Sequence, residues 1–259
     1  MAKVAVIPAR MASSRFPGKP LKKILGISMI EHVYRRVLLC KKLDDVVVAT
    51  CDKEIFNEVK RFGGKAVMTS PKHPGCVDRV AEVVRKMPKI SIVVNVQGDI
   101  PMVDPASLGK LVEPFDKDKT VICTDMMGTI ESEEDKLSSN VVKVVTDLKN
   151  NALYYSREPI PSCKKLQPGG KITMYKQFGI NAFTRKAILQ YAAMKRAGLE
   201  DIESVDMLRF LQRGMKVLMV HWGKDIVGVD ISEDMQRAEK ILLTDKVYLK
   251  HIRGKDVVG

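Results

Sequence analysis

The sequence predicts an α/β fold: a doubly wound, mostly parallel sheet with a small β subdomain. Two observations carry this. Over roughly the first hundred residues, apolar β-branched runs alternate with runs of helical periodicity, the rhythm of a parallel sheet and its crossover helices. After Val121 the rhythm changes, and strand candidates follow one another across turn residues. The chain has 259 residues and is 45% hydrophobic, enough to bury a sizeable core. We read one domain over 1–259, with a smaller subdomain at 140–181 inside it.

Residues 4–7 are a buried strand. It breaks at Pro8 into a loop holding Arg10, Ser13, Ser14, Arg15 and Lys19 around a flexible Gly18. Residues 29–40 have helical spacing, and 46–50 form a strand led in by Asp44 and Asp45. A helix over 54–62 stops at Gly63-Gly64. A short strand at 66–68, a helix at 78–86 and a strand at 90–96 follow. Right-handed crossovers put the strand ends on one side, so the loop 10–19 and the segment 97–99 share one edge. Beyond the change of rhythm, 141–146 and 152–156 pair through a turn at 147–151. Residues 160–170 are a loop, 177–183 a strand, 199–213 a helix ended by Gly214, and 216–221 a strand. Residues 232–243 are a helix with Ser232 as its N-cap. The tail 246–259 is polar and basic and is expected to be loosely held.

Composition excludes several classes. A formal net charge of +13 favours anionic partners. The cations are spread along the chain, only 5% of residues are aromatic, and no nucleic-acid-binding signature is present, so a small anionic substrate explains the charge better than nucleic acid. No apolar run approaches the roughly 20 residues of a membrane span, and the N-terminal run is too short for a signal peptide. Five scattered cysteines, without a CxxC or Cys/His cluster, support neither zinc nor a disulfide framework and fit the cytoplasm.

The chemistry concentrates at strand ends. Ligands of open α/β sheets bind beyond the carboxyl ends of the strands. A loop of three cations, two hydroxyls and free backbone N–H groups at such an end suits a polyphosphate; its bland alternative is a solvated basic turn. Gln97-Gly98-Asp99 follows an apolar strand directly, where a carboxylate meets a hard cation. Asp230 also ends an apolar run and precedes a helix, and taken alone it reads equally as helix N-terminal chemistry beside Ser232. Gln97 alone reads as a satisfied strand-end amide, and Arg79 as an exposed first-turn helix residue. His73 and His221 are isolated and read as structural. No Ser-His-Asp or Cys-His arrangement is evident.

The opening run Ile7-Pro8-Ala9-Arg10, Ser13-Ser14-Arg15 and Pro17-Gly18-Lys19-Pro20 resembles the cytidylyltransferases that activate 3-deoxy-manno-octulosonate (Kdo), and the related acylneuraminate enzymes. The resemblance continues in family order through Gln97-Gly98-Asp99, the segments 140–145 and 152–157, and Gly228-Val229-Asp230. It implies the nucleotide-diphospho-sugar transferase fold. It implies Mg²⁺-dependent transfer of CMP from CTP to an anionic acceptor, Kdo or a related 2-keto sugar acid, with release of pyrophosphate. It implies Asp99 and Asp230 as metal ligands, which with Arg10 and Lys19 make the catalytic group. Ala9, Arg10, Ser13, Ser14, Arg15, Lys19, Arg79 and Gln97 would touch the nucleotide. Ile100, Lys143, Arg157, Gln177, Asn181, Glu203 and Met207 would line the acceptor, and 140–181 would also serve a homodimer contact.

The departures from the family gather on the acceptor side. Ile100 replaces a Glu, Gln177 a His, Asn181 a Tyr and Met207 a Gln; on the nucleotide side Gly75, Cys76 and Val77 replace Ser, Gly and Thr in the loop before Arg79, which bears on the contacts to ribose and base. A pocket built to hydrogen-bond a hydroxyl rejects analogues that lack it. A changed acceptor, such as a phosphonate or other small acid, with Kdo itself poor, is therefore the expectation; drift within a Kdo enzyme is the alternative. The rivals from other classes are a non-catalytic nucleotide-binding protein and a nucleic-acid-binding protein.

Overall fold

Strand β1 (Ala2–Ala9) lies between two parallel neighbours, β4 (Asp45–Thr50) and β6 (Ile90–Asn95), and β4 continues to β5 (Ala66–Met68), also parallel. The computed structural model describes residues 2–12, 16–165, 167, 170, 172–196 and 198–253. It divides into two compact units, 1–112 with 226–259, and 113–225. Val4, Ala5, Val6 and Ile7 are at most 2% exposed, the unbroken apolar run of a strand covered on both faces. Helices α1 (Met29–Leu38) and α3 (Cys76–Lys86) pack on β1, and α2 (Lys53–Arg61) packs on β4 and β5. Their apolar spacing explains this: Val77, Val80, Ala81 and Val84 are all fully buried, one stripe of a helix. Between β1 and α1 a small hairpin, β2 (Lys23–Ile24) with β3 (Ile27–Ser28), was not legible in the sequence. Neither was helix α4 (Pro105–Lys117) after β6.

The second unit is wider than the segment 140–181. Strand β7 (Cys123–Thr129) follows α4, then a short helix α5 (Glu133–Leu137). The hairpin β8 (Lys143–Thr146) and β9 (Ala152–Ser156) turns on Asp147, whose carboxylate accepts the Lys149 and Asn151 amides at 2.8 and 2.7 Å. Strand β10 (Tyr175–Thr184) pairs antiparallel with β8 and with β7. Helix α6 (Arg185–Ala193) follows with Thr184 as its N-cap. The expected helix 199–213 is broken into α7 (Gly198–Glu203) and α8 (Leu208–Leu211). Ser204 sits between them at φ 52°, a left-handed conformation that stops a helix. Strand β11 (Leu218–His221) then runs parallel to β7 and closes the unit.

The return segment corrects two expectations. Helix α9 (Asp234–Leu242) starts after Ser232, which does not cap it. Asp234 instead takes the Asp230 and Ile231 amides on its Oδ2 at 2.8 and 3.1 Å. The tail is not loose as far as Arg253: Tyr248 is 5% exposed and Ile252 fully buried, in one cluster with Ile24, Met29, Val229 and Leu242. Arg36, 1% exposed, donates to Asp245 and secures the same segment. Residues 254–259 lie outside those described. Among the described residues no helix is long and apolar enough to cross a membrane.

Candidate active site

The parallel register puts the C-terminal ends of β1 and β6 side by side, and the sequence then places a cation and a carboxylate there. Gly18 adopts φ 69°, a conformation costly for any residue with a Cβ, and starts a 3₁₀ turn (Lys19–Leu21) that aims Lys19. The Lys19 ammonium donates to Asp99 Oδ2 at 2.7 Å and to Asp230 Oδ1 at 3.3 Å. Two carboxylates from distant parts of the chain thus converge on one cation. Gly98 eases the close approach, since a Cβ there would lie 3.1 Å from the Pro8 carbonyl oxygen and the backbone would have to give by a few tenths of an ångström. The Asp99 carbonyl oxygen accepts the Val229 N–H at 2.9 Å, which brings Asp230 to the same edge.

This donor set fits a Mg²⁺ ion. Mg²⁺ takes one or two carboxylates and fills its remaining positions with phosphate oxygens and water. Asp99 and Asp230 are 33% and 51% exposed, and the ammonium they share shows that both reach one cationic centre. Among the described residues no group of three or more His, Cys, Asp or Glu could form a closed cage.

The remaining nucleotide-side residues divide. Arg10 is exposed at the end of β1, directly after the buried Ala9. Ser13, Ser14 and Arg15 lie outside the described residues. Gln97 is half-buried beside Gly98. Arg79 is 4% exposed, and its guanidinium donates to Thr69 Oγ1 at 2.5 Å and to the Ser70 carbonyl at 3.3 Å. It therefore braces the loop it follows, and is not the exposed first-turn residue that was one reading of it. His73 joins that brace through Glu82.

The residues expected on the acceptor side fall into three environments. Lys143, Arg157 and Glu203 form one network. The Lys143 ammonium, fully buried, donates to the Ser138 and Arg157 carbonyls at 2.6 and 2.8 Å, and burial lowers its pKa. Glu203 accepts the Arg157 N–H at 2.8 Å and the Ser156 and Tyr154 hydroxyls at 3.0 and 3.2 Å. Gln177 donates to Asp125 at 2.6 Å, and Asn181 pairs with Asp125 in the β7–β10 register. Ile100 and Met207 are core: they are 5% and 0% exposed, and the Met207 sulfur packs 3.8 Å from Cys123 Sγ. Two of the four departures from the family pattern are thus packing choices.

The chain matches the family model described as cytidylyltransferase over residues 4–217. It is 42% identical to the 3-deoxy-manno-octulosonate cytidylyltransferase of Myxococcus xanthus over 239 residues, covering 92% of this chain and 96% of that one. It is 39% identical to the same-named protein of Thermodesulfovibrio yellowstonii, covering 94% and 99%. The chain belongs to the Kdo cytidylyltransferase family. A solved CMP:2-keto-3-deoxy-manno-octonic acid synthetase, in complex with CTP, superposes with a TM-score of 0.88 at 34% identity, over 94% of this chain and 99% of that one. The chain is accordingly a nucleotidyltransferase with the mixed α/β fold of that family.

Three acidic residues of this family member escaped the sequence reading. Asp52 accepts the Met11 N–H at 2.8 Å and anchors the start of the cationic loop. Asp234 pins the segment that carries Asp230. Asp125 lies fully buried beneath Gln177. Asp52 and Asp234 left signals, one as the residue that precedes α2 and the other as an acidic residue in the first turn of a helix; Asp125 left none.

Proposed function

We propose that this cytidylyltransferase transfers CMP from CTP to Kdo, with Mg²⁺ held by Asp99 and Asp230. The observation that carries the reading is the Lys19 ammonium shared by those carboxylates, at the strand ends where a polyphosphate would lie. The names of the relatives, and the CTP bound to the solved one, support the two substrates. The burial of Ile100 and Met207 removes much of the ground for expecting Kdo to react poorly.

The acceptor hydroxyl attacks the α-phosphorus in line and pyrophosphate leaves, so the protein's work is positioning and charge. Arg10 and Lys19 hold the β- and γ-phosphates and the departing pyrophosphate. Asp99 and Asp230 hold the metal. Bound Mg²⁺ supplies Lewis-acid stabilisation of charge at the transferring phosphate. Gln97 contacts the nucleotide, and Gln177, Asn181 and the Arg157 network define the acceptor side.

The enzyme is proposed to work as a cytoplasmic homodimer. The exposed Leu148 and Leu153 on the β8–β9 hairpin support a partner there, and five cysteines scattered along the sequence without a CxxC pattern support a reducing compartment. Mass spectrometry of CMP conjugates tests the activity, with CTP and Mg²⁺ offered to Kdo beside a panel of other small acids. CMP-Kdo with matching pyrophosphate release, abolished by chelation, is expected. A conjugate with another acid and none with Kdo overturns the reading.

A further inference from the structure

The second unit contains a carboxylate for which nucleotide chemistry has no use. Asp125 on β7 is fully buried, where an apolar side chain would pack without desolvating a charge. It is satisfied by three donors. Met126 N–H reaches Oδ1 at 3.0 Å, while the Tyr155 hydroxyl and the Gln177 amide nitrogen reach Oδ2 at 2.9 and 2.6 Å. Two of these partners are internal: a backbone amide, and a phenol that is itself 0% exposed. Gln177 alone is half-buried, so it alone carries the influence of Asp125 outward.

A carboxylate only accepts hydrogen bonds, so it admits one orientation of the facing amide. The Gln177 NH₂ is turned inward and its carbonyl oxygen away, where it accepts no hydrogen bond among the described residues. The register supports this arrangement. Gln177 pairs with Met127 and Asn181 with Asp125, and the shift between them brings the Gln177 amide over a carboxylate two residues back on β7.

We propose that Asp125 is a positioning residue whose buried carboxylate holds the Gln177 amide nitrogen inward, so that the acceptor site presents a carbonyl oxygen selecting a hydrogen-bond donor, a hydroxyl or amine, on the sugar acid. The proposal rests on the reading that Gln177 lies against the acceptor. Its chemistry predicts a dependence on protonation. Burial raises Asp125 to about 7 against the opposing pull of Tyr155, Gln177 and Met126. The groups facing it are the Cys123 thiol on its own strand, the Tyr155 phenol on β9 and Asp206 before α8. Burial pushes the thiol and the phenol up, so they stay neutral in this range, and the Asp206 charge adds to the rise of Asp125. A protonated Asp125 donates, and Gln177 then turns its oxygen inward to accept.

Asp125→Asn copies the protonated state. Its carbonyl takes the Met126 N–H and its NH₂ faces Gln177, which flips. The KM for Kdo is expected to rise by up to about tenfold, the worth of the one hydrogen bond lost by a hydroxyl seated to donate to the Gln177 oxygen, with the KM for CTP within twofold. In the wild type the KM for Kdo rises as pH falls through 7; in Asp125→Asn it stays at the raised value. A second readout needs neither acceptor nor variant activity. The Gln177 side-chain NH₂ signal in a ¹⁵N NMR spectrum, assigned by its loss in Gln177→Ala, should titrate near pH 7 in the wild type. An amide signal that does not titrate, or equal KM changes for CTP and Kdo, overturns the proposal. If the wild type makes no CMP-Kdo, the functional reading falls, and the NMR titration still decides the role of Asp125.

Discussion

Replacing Asp99 by Asn separates what the carboxylate does for the fold from what it does for the reaction. The side chain loses one ion pair, to Lys19 at 2.7 Å, with Lys19 12% and Asp99 33% exposed. Partly solvated pairs of this kind contribute about 0.2–1 kcal/mol. For a chain of this length 1 kcal/mol shifts Tm by about 2–4 °C, so Asp99→Asn is expected to melt within about 4 °C of the wild type. The reaction is expected to suffer far more. A neutral amide binds Mg²⁺ poorly, and removing charge stabilisation at a transferring phosphate costs about 10²-fold or more in kcat. Asp230→Asn follows the same pattern less severely, because Asp230 lies farther from the ammonium at 3.3 Å and is 51% exposed. Raised Mg²⁺ is expected to restore part of its activity. Pyrophosphate release across a Mg²⁺ titration, beside thermal melts, measures both quantities. Near-normal kcat at low Mg²⁺ in either variant would refute its place at the metal. A fall in Tm beyond about 10 °C would show that the residue holds the fold instead.

Three further outcomes are expected. Lys19→Ala should weaken CTP by about 1.5–3 kcal/mol, the range for a charge-assisted contact, and CMP hardly at all; equal losses by calorimetry would displace Lys19 from the β/γ-phosphates. Asp245→Ala leaves the Arg36 guanidinium, 1% exposed, without its carboxylate and should cost about 3 kcal/mol in urea unfolding; a loss below about 1 kcal/mol would show that the return segment is held by its apolar cluster alone. Burial pushes Glu82 up, but Lys86, His73 and the Ser70 N–H outweigh it and hold the carboxyl at about 2. A depressed pKa stabilises above the unfolded value and loses that stability as pH falls through the folded one. Stability should therefore decline between about pH 4.5 and 2, and Glu82→Gln should flatten the decline; parallel profiles for the two proteins would exclude the brace.

The sheet around β1 was legible because its signals are local. An unbroken run such as 4–7, or a stripe such as Val77, Val80, Ala81 and Val84, reports burial through its own spacing. The convergence of Asp99 with the Lys19 loop followed from the same pattern, since a parallel register with right-handed crossovers fixes which ends meet. Where the reading failed, the deciding contact was distant in sequence or conformational. The break between α7 and α8 depends on Ser204 at φ 52°, a position where neither Gly nor Pro gave warning. The polar tail was read as loose because Tyr248 and Ile252 stand among Lys and His, and only the hairpin at Ile24 reveals what they pack against.

The acceptor side shows why residue type alone misleads there. Ile100, Gln177, Asn181 and Met207 were read together as one altered pocket, because each replaces a polar family residue. Burial separates them. Met207 fills a sulfur contact with Cys123, and Ile100 is nearly sealed, so neither offers a surface whose lost hydrogen bond an acceptor would feel. Gln177 is half-buried and donates to Asp125, a residue on another strand, which under the proposal sets the polarity it offers. An amide is both donor and acceptor, so the sequence cannot say which end it presents; the buried carboxylate behind it does. Specificity on this side is therefore read from the pair, and a substitution at Asp125 should change what the site recognises without altering any residue that touches the substrate.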